Sequence, residues 1–289
     1  MVRRKTKATG FVSWRNGSEK MANILRTLIF EEQVSLTIAD TTEIVEEGIK
    51  LHGLTGEKAE AFARALSFLT FMSSALKEES GEVSLSIKTN GKILDLCASG
   101  NAKLNIRGYL DWKDEGETLL GDGSLTLVRD DGYFRPFVGA CALVQEGNLD
   151  ENFEEYYRTS EQLPTFISTV YMENEGGKVA FSGIIVLQPL PFVGEVALAK
   201  IPDALMRKRI LGEVSKKGIL AVAKEAFGVI EENCVLKNAA YRCHCSREYL
   251  KGVLVSLGET EFRNIIKEDG AVRAHCHYCN TDYSFKSTP

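Results

Sequence analysis

Two cysteine pairs near the C-terminus constrain this chain more than any other feature: Cys243-x-Cys245 and Cys276-x-x-Cys279, separated by thirty residues. Four thiols in two tight pairs can form a tetrathiolate metal site or a set of disulfides. The loop between the pairs is longer than the roughly 12–20 residues of common zinc ribbons, so it must carry its own secondary structure. Leu250, Val253, Leu254 and Leu257 repeat at helical spacing, after Ser246 as N-cap and before Gly258. Phe262, Ile265 and Ile266 mark a second helical set before Asp269-Gly270, and Ala271 to His275 reads as a strand into the second pair.

The segment 243–289 is 47 residues long, a size at which a hydrophobic core alone is marginal. Structural zinc contributes about 10–16 kcal/mol in finger peptides, so a unit of this size should largely unfold without its metal. Oxidation offers three disulfide pairings. Cysteines three apart come within reach in an ordinary turn, where the Cα atoms lie closer than about 7 Å. An extended C-x-C spans about 6.6–6.8 Å, near the limit for an unstrained bond, so that pair needs a bend or prior local unfolding. His244, His275 and His277 flank the thiols as alternative ligands, although solvent-facing histidines beside an all-cysteine site are the simpler expectation.

The rest of the chain reads as mixed α and β. Residues 28–38 suit a strand pair, Thr42 can cap a helix through about Leu51, and Glu57 to Lys77 is a longer helix with a face wide enough to be buried. Val83, Leu85 and Ile87 alternate, Asn90-Gly91 is a hairpin turn, and Ile93 and Leu94 resume the pairing. Further strands are expected near 104–110, 124–129, 166–173 and 179–187. Strands and helices in blocks predict an α+β domain rather than a doubly wound sheet. Pro189, Pro191 and Pro202 mark its exit, and Ala204 to Glu232 follows as a helical stretch rich in Leu, Ile and Val. Four segments result: a disordered extension over 1–20, an α+β domain over 21–191, a helical linker over 192–242 and a small zinc-binding unit over 243–289.

The charge of −5 argues against a dedicated nucleic-acid binder, and six basic against six acidic residues make 243–289 neutral. No apolar run reaches the roughly 18 residues that cross a bilayer. Seven cysteines without a signal peptide favour a reducing compartment. Cys97, Cys141 and Cys234 are expected to behave as small buried apolar residues, with Cys234 close enough to the pairs to trap a wrong disulfide. Gly121-Asp-Gly123 reads as a turn, His52 as a helix cap, and nothing resembles a Ser-His-Asp arrangement, so no enzyme activity is expected. Two rival classes are a zinc-ribbon nucleic-acid module and a thiol oxidoreductase using Cys276 and Cys279; the latter lacks its usual strand-to-helix setting.

The run Cys243-His-Cys245-Ser-Arg-Glu, Ser256-Leu-Gly258, Glu268-Asp-Gly270 and Cys276-His-Tyr-Cys279-Asn with Tyr283-Ser-Phe285 resembles the HslO family of redox-regulated heat-shock chaperones, the 33 kDa chaperonins. Upstream, Ala39-Asp-Thr-Thr42, His52-Gly-Leu54, Leu125 to Asp130, Tyr157, Ser160-Glu-Gln162 and Pro164 resemble the same family, so the likeness covers about residues 22–289. The resemblance implies a cytoplasmic, ATP-independent holdase with zinc on Cys243, Cys245, Cys276 and Cys279. It implies a reduced, zinc-bound, inactive monomer. The oxidised form is implied to be a zinc-free homodimer that binds unfolding client proteins, with no role for nucleic acid or membrane. Family disulfides join neighbours, here Cys243 with Cys245 and Cys276 with Cys279, and the turn geometry puts the second bond first. The linker over 192–242 is then a metastable cover whose release exposes apolar surface. Ala274-His275 and His277 depart from the acidic or aromatic residues expected, which bears on the oxidant threshold. Met21-Ala-Asn-Ile-Leu resembles a family beginning, so the basic, acid-poor residues 1–20 read as an upstream start, with an organellar transit peptide as the alternative.

Overall fold

The computed structural model describes residues 22–144, 147–256, 264, 266–268 and 270–286. The expectations for residues 1–20, and those resting on Leu257, Gly258, Phe262, Ile265 and Asp269, lie outside the described residues. In chain order the elements are β1 (Ile24–Ile29), β2 (Val34–Asp40), α1 (Thr42–His52), α2 (Gly56–Ser74), β3 (Glu82–Thr89), β4 (Ile93–Asn101), β5 (Asn105–Trp112), β6 (Gly123–Asp130) and β7 (Phe137–Ala142). There follow α3 (Leu149–Tyr156), β8 (Phe166–Glu173), β9 (Val179–Pro189), α4 (Glu195–Ala199), α5 (Ala204–Gly212), α6 (Val214–Lys217) and α7 (Ile219–Phe227). The chain ends with β10 (Val235–Lys237), β11 (Ala240–Tyr241), α8 (Arg247–Ser256), β12 (Val272–Cys276) and β13 (Thr281–Phe285).

Two sheets, ordered β10-β1-β2-β9-β8 and β11-β5-β4-β3-β6-β7, sandwich α2. That position explains its composition: Phe62, Leu66, Phe68, Leu69 and Phe71 are buried, and so are Ala59, Ala63 and Ser67, on every side of the helix. Its buried hydroxyls are largely satisfied locally, Thr70 donating to the Leu66 carbonyl (2.8 Å) and Ser67 meeting Thr41 Oγ1 at 2.7 Å. The second core lies on the outer face of the five-stranded sheet. Leu25, Leu36, Ile38, Phe181, Ile185 and Leu187 face Leu211, Val214, Ile219, Val222 and Ala223 of α5 to α7. Burying each such side chain is worth about 1.5–3 kcal/mol, so the helices and the sheet face depend on each other to stay out of water.

The mixed α+β reading holds, and the Asn90-Gly91 hairpin joins β3 to β4 as expected. Several details differ. Thr41 occupies the N-cap of α1, with Thr42 inside the first turn and its N–H bonded to Asp40 Oδ1 at 3.0 Å. The stretch 204–232 is three helices, broken at Gly218 (φ 79°) and ended at Gly228 (φ 65°), since both positions need a backbone that glycine adopts freely. After them the chain leaves the helical pattern. Three residues of β10 pair with β1 and two of β11 pair in parallel with β5, so the segment before the cysteines is stitched to both sheets.

The helices α5 to α7 are also tied down by one buried charge. Arg207, 4% exposed, donates to Ser168 Oγ, the Pro202 carbonyl and Glu154 Oε1, each at 3.0 Å, and to the Ile167 carbonyl at 3.2 Å. Removing one partner of such a pair strands the other without compensation. Arg207→Ala should cost about 3 kcal/mol in urea unfolding and should speed protease cleavage between 192 and 234. Unchanged cleavage would mean that α5 is held by its apolar contacts alone.

Candidate metal centre

The four cysteines are delivered by two local devices. On the first side, β11 runs beside β5, with Ala240 N–H bonded to the Leu104 carbonyl (3.0 Å) and Arg242 N–H to that of Ile106 (2.9 Å), and this ladder ends at Cys243. Beyond Cys245, Ser246 starts α8, its hydroxyl accepting from the Tyr249 N–H at 3.0 Å. On the second side, β12 and β13 form a hairpin with Cys276 opposite Thr281, and the turn carries Cys279 followed by Asn280 at φ 50°. Among the described residues the hydrophobic support is a cluster in which Leu254, Val272 and Phe285 are buried, with Leu250, Ile266 and Tyr283 packed at their edge.

The four sulfurs lie within 4.8 Å of one another. Cys243 Sγ is 3.8 Å from Cys276 Sγ, and Cys245 Sγ is 3.0 Å from Cys279 Sγ. Bonded sulfurs would sit at about 2.05 Å, and all seven cysteines are free. A tetrahedral ion with bonds of about 2.3 Å to sulfur separates its ligands by about 3.8 Å. The cage therefore has the size and donor softness that fit zinc, and Cys243, Cys245, Cys276 and Cys279 are the residues that could hold it. Burial pushes the Cys243 thiol up, but the Cys245 backbone N–H, the Arg107 guanidinium and neighbouring thiols outweigh it and leave it below its ordinary value. Burial, then the contact with Cys279, pushes Cys245 up, and burial does the same to Cys276. Protons are thus held unequally in the metal-free cage, and a cation that takes all four thiolates displaces them.

The flanking histidines are engaged elsewhere. His244 meets Tyr249 edge-on, His277 lies 5.3 Å from the Tyr109 ring, and His275 Nδ1 is 2.8 Å from Asp282 Oδ1. The other thiols depart from the buried apolar expectation: Cys97, Cys141 and Cys234 are each half-buried. Cys97 donates to Asp95 Oδ1 at 3.1 Å and Cys234 to the Ile230 carbonyl at 3.3 Å. Burial raises all three above the ordinary thiol range, so they are poor nucleophiles. Gly121 has φ 63° in the connection just before β6, which Gly123 opens. His52 is the last residue of α1, with Gly53 as the cap, and its Nε2 meets Tyr241 Oη at 3.2 Å.

That contact belongs to a set of residues with no motif in the sequence. Tyr241 packs its ring where any side chain at Gly48 would come within 2.9 Å, and its hydroxyl donates to the carbonyl of Tyr278 (2.6 Å) or Gly108 (3.0 Å). Arg107 of β5 places its guanidinium 4.3 Å from the Tyr278 ring and its Nη1 3.6 Å from Cys243 Sγ. Tyr109 faces Tyr278 at 5.3 Å, and Asn280 Nδ2 donates to the Leu51 carbonyl at 3.3 Å. Both cysteine turns are docked on the six-stranded sheet and the end of α1. Among the described residues no helix is long and apolar enough to cross a membrane.

A family model described as Hsp33 protein matches residues 23–286. The chain is 28% identical over 275 residues to the 33 kDa chaperonin of Thermoanaerobacter sp. (strain X514), covering 90% of this chain and 93% of that one. It is 27% identical over 278 residues to the 33 kDa chaperonin of Bacillus cereus (strain G9842), covering 91% and 94%. The crystal structure of the 33 kDa chaperonin (heat shock protein 33 homolog) from Thermotoga maritima superposes with a TM-score of 0.75 at 26% identity, over 92% of this chain and 95% of that one. The sheets, the covering helices and the four-thiol cage all lie within the matched span, and the chain belongs to the Hsp33 family.

Proposed function

We propose that this protein is an ATP-independent holdase chaperone switched on by oxidation. The observation that carries the reading is the meeting of four thiols in a unit joined and docked to the same segment that leads back to α5 to α7. In the reduced state Cys243, Cys245, Cys276 and Cys279 would hold zinc, which would supply a cross-link between the two cysteine turns. Each neighbouring pair of thiolates then gives up two electrons to a peroxide or hypochlorite, which is reduced to water or chloride, and one disulfide forms per pair. The local bonds Cys243–Cys245 and Cys276–Cys279 close tiny loops and leave nothing tying one turn to the other. Zinc is released, the unit over 243–289 unfolds, and β11 and β10 lose their anchor.

The consequence for clients follows from the second core. The linker over 192–242 is the metastable cover, and its departure exposes the sheet face of Leu25, Leu36, Ile38, Phe181, Ile185 and Leu187, a contiguous apolar surface of the kind that captures unfolding chains. The reading includes a reduced monomer, an oxidised homodimer and a cytoplasmic setting, without enzymatic turnover.

Pairing is the sharp point. In the folded cage the near sulfur contacts, Cys245 with Cys279 and Cys243 with Cys276, cross between the turns. Oxidation in place would lock the unit shut, whereas neighbour pairing opens it. Mass mapping during slow peroxide treatment should find Cys276–Cys279 in the half-oxidised species and Cys243–Cys245 added later. A dominant Cys245–Cys279 bond would contradict the switch. In parallel, zinc captured by a chromophoric chelator should appear together with protection of a heat-unfolded client in light scattering. Equal protection by the reduced, zinc-loaded protein would contradict redox control.

A further inference from the structure

The guanidinium of Arg107 touches both cysteine turns at once. Its Nη1 lies 3.6 Å from Cys243 Sγ, and the same group stacks 4.3 Å from the ring of Tyr278, between Cys276 and Cys279. Arg107 belongs to β5, where it sits opposite Ser99 of β4, so it is fixed by a central ladder of the first domain rather than by the metal unit. The register of β11 against β5, Tyr241 beside Ile106, is what brings Cys243 to it. Four thiolates around one divalent cation carry a net negative charge, and a half-buried arginine beside them is complementary to it. An arginine also meets the two demands of the place together, a flat face for the Tyr278 ring and an N–H for the sulfur, which a lysine does not.

We infer that Arg107 is a positioning residue for the metal centre: a clamp from the first domain that holds the two cysteine turns in register and slows loss of the metal. This rests on the reading of the centre as a zinc-dependent switch and adds the element that sets how readily it opens. While Arg107 is seated, Cys243 is held beside Cys276, with the sulfurs 3.8 Å apart across the cage. The docked sheet edge is therefore part of the threshold, and a disturbance of β5 or β11 reaches the thiols directly.

The test uses the full-length, zinc-loaded chain. Zinc transfer to a chromophoric chelator is timed at fixed peroxide without heating, for the parent and for Arg107→Ala, Arg107→Lys and Tyr278→Leu. Arg107→Ala should release zinc on the order of tenfold faster, in the range seen when groups supporting a metal ligand are removed. Tyr278→Leu, which removes the other half of the stack and leaves β5 untouched, should shift in the same direction. Arg107→Lys, retaining charge without the flat face, should fall between parent and alanine. The near-UV signature of the first domain should not change. Release from both Arg107→Ala and Tyr278→Leu within twofold of the parent would overturn the clamp. Because the readout is zinc, the clamp and the chaperone reading can fail separately: fast release from the variants with no client protection by any oxidised form would sink the function and leave the clamp standing.

Discussion

The C-terminal unit is organised around four sulfur atoms that meet within 4.8 Å, where its two cysteine turns come together. Among the described residues its apolar cluster buries Leu254, Val272 and Phe285, which supply a few kcal/mol, on the order of what a single ordered turn costs in chain entropy. On the proposed reading, a bond network through one metal would take the place of a larger hydrophobic core. Such a core fails gradually when a side chain is lost, but a metal cross-link fails all at once when its thiolates are consumed. On the proposed reading, that difference is what suits the centre to act as a switch.

The two cores of the first domain differ in the same way. The core around α2 is enclosed by both sheets and closed off by α1 and α3, and among the described residues none after Cys243 belongs to it. The core outside the five-stranded sheet is closed mainly by α5 to α7, with Val229 and Ile201 at its edges, on a segment held at one end by Arg207 and at the other by β10 and β11. Asn23 strengthens that second end, exchanging hydrogen bonds of 2.9 and 2.8 Å with Ala239. The arrangement places an enclosed core and a helix-covered one on opposite faces of a single sheet, and on the proposed reading the cysteine unit anchors the second.

Much of this is legible in the sequence. The cysteine spacing, the apolar α2 and the Asn90-Gly91 hairpin each carry a local signal that survives folding unchanged. Strand β7 gives no such signal, since Phe137 to Ala142 is an exposed edge with Phe137 and Val138 facing water and no clean alternation. Helix α3 escapes a reading by apolar period, although Asn148 and Glu151 form a capping box that announces it. Strands of two and three residues such as β11 and β10 are too short to show a period. Their partners decide them, and those partners lie more than a hundred residues away. Arg107, Tyr241 and His52 become part of the site for the same reason: only the parallel pairing of β11 with β5 brings them to the cysteines.

The central claim is that the sulfur cage holds down the covering segment, and amide hydrogen exchange on the full-length chain tests it directly. Reduced, zinc-loaded protein is compared with oxidised, zinc-free protein, peptide by peptide. The account predicts that protection disappears over 235–241 and 272–285 and falls sharply over 204–227, while α2 and β2 to β4 keep theirs. Unchanged protection across 204–241 after the zinc has gone would contradict it.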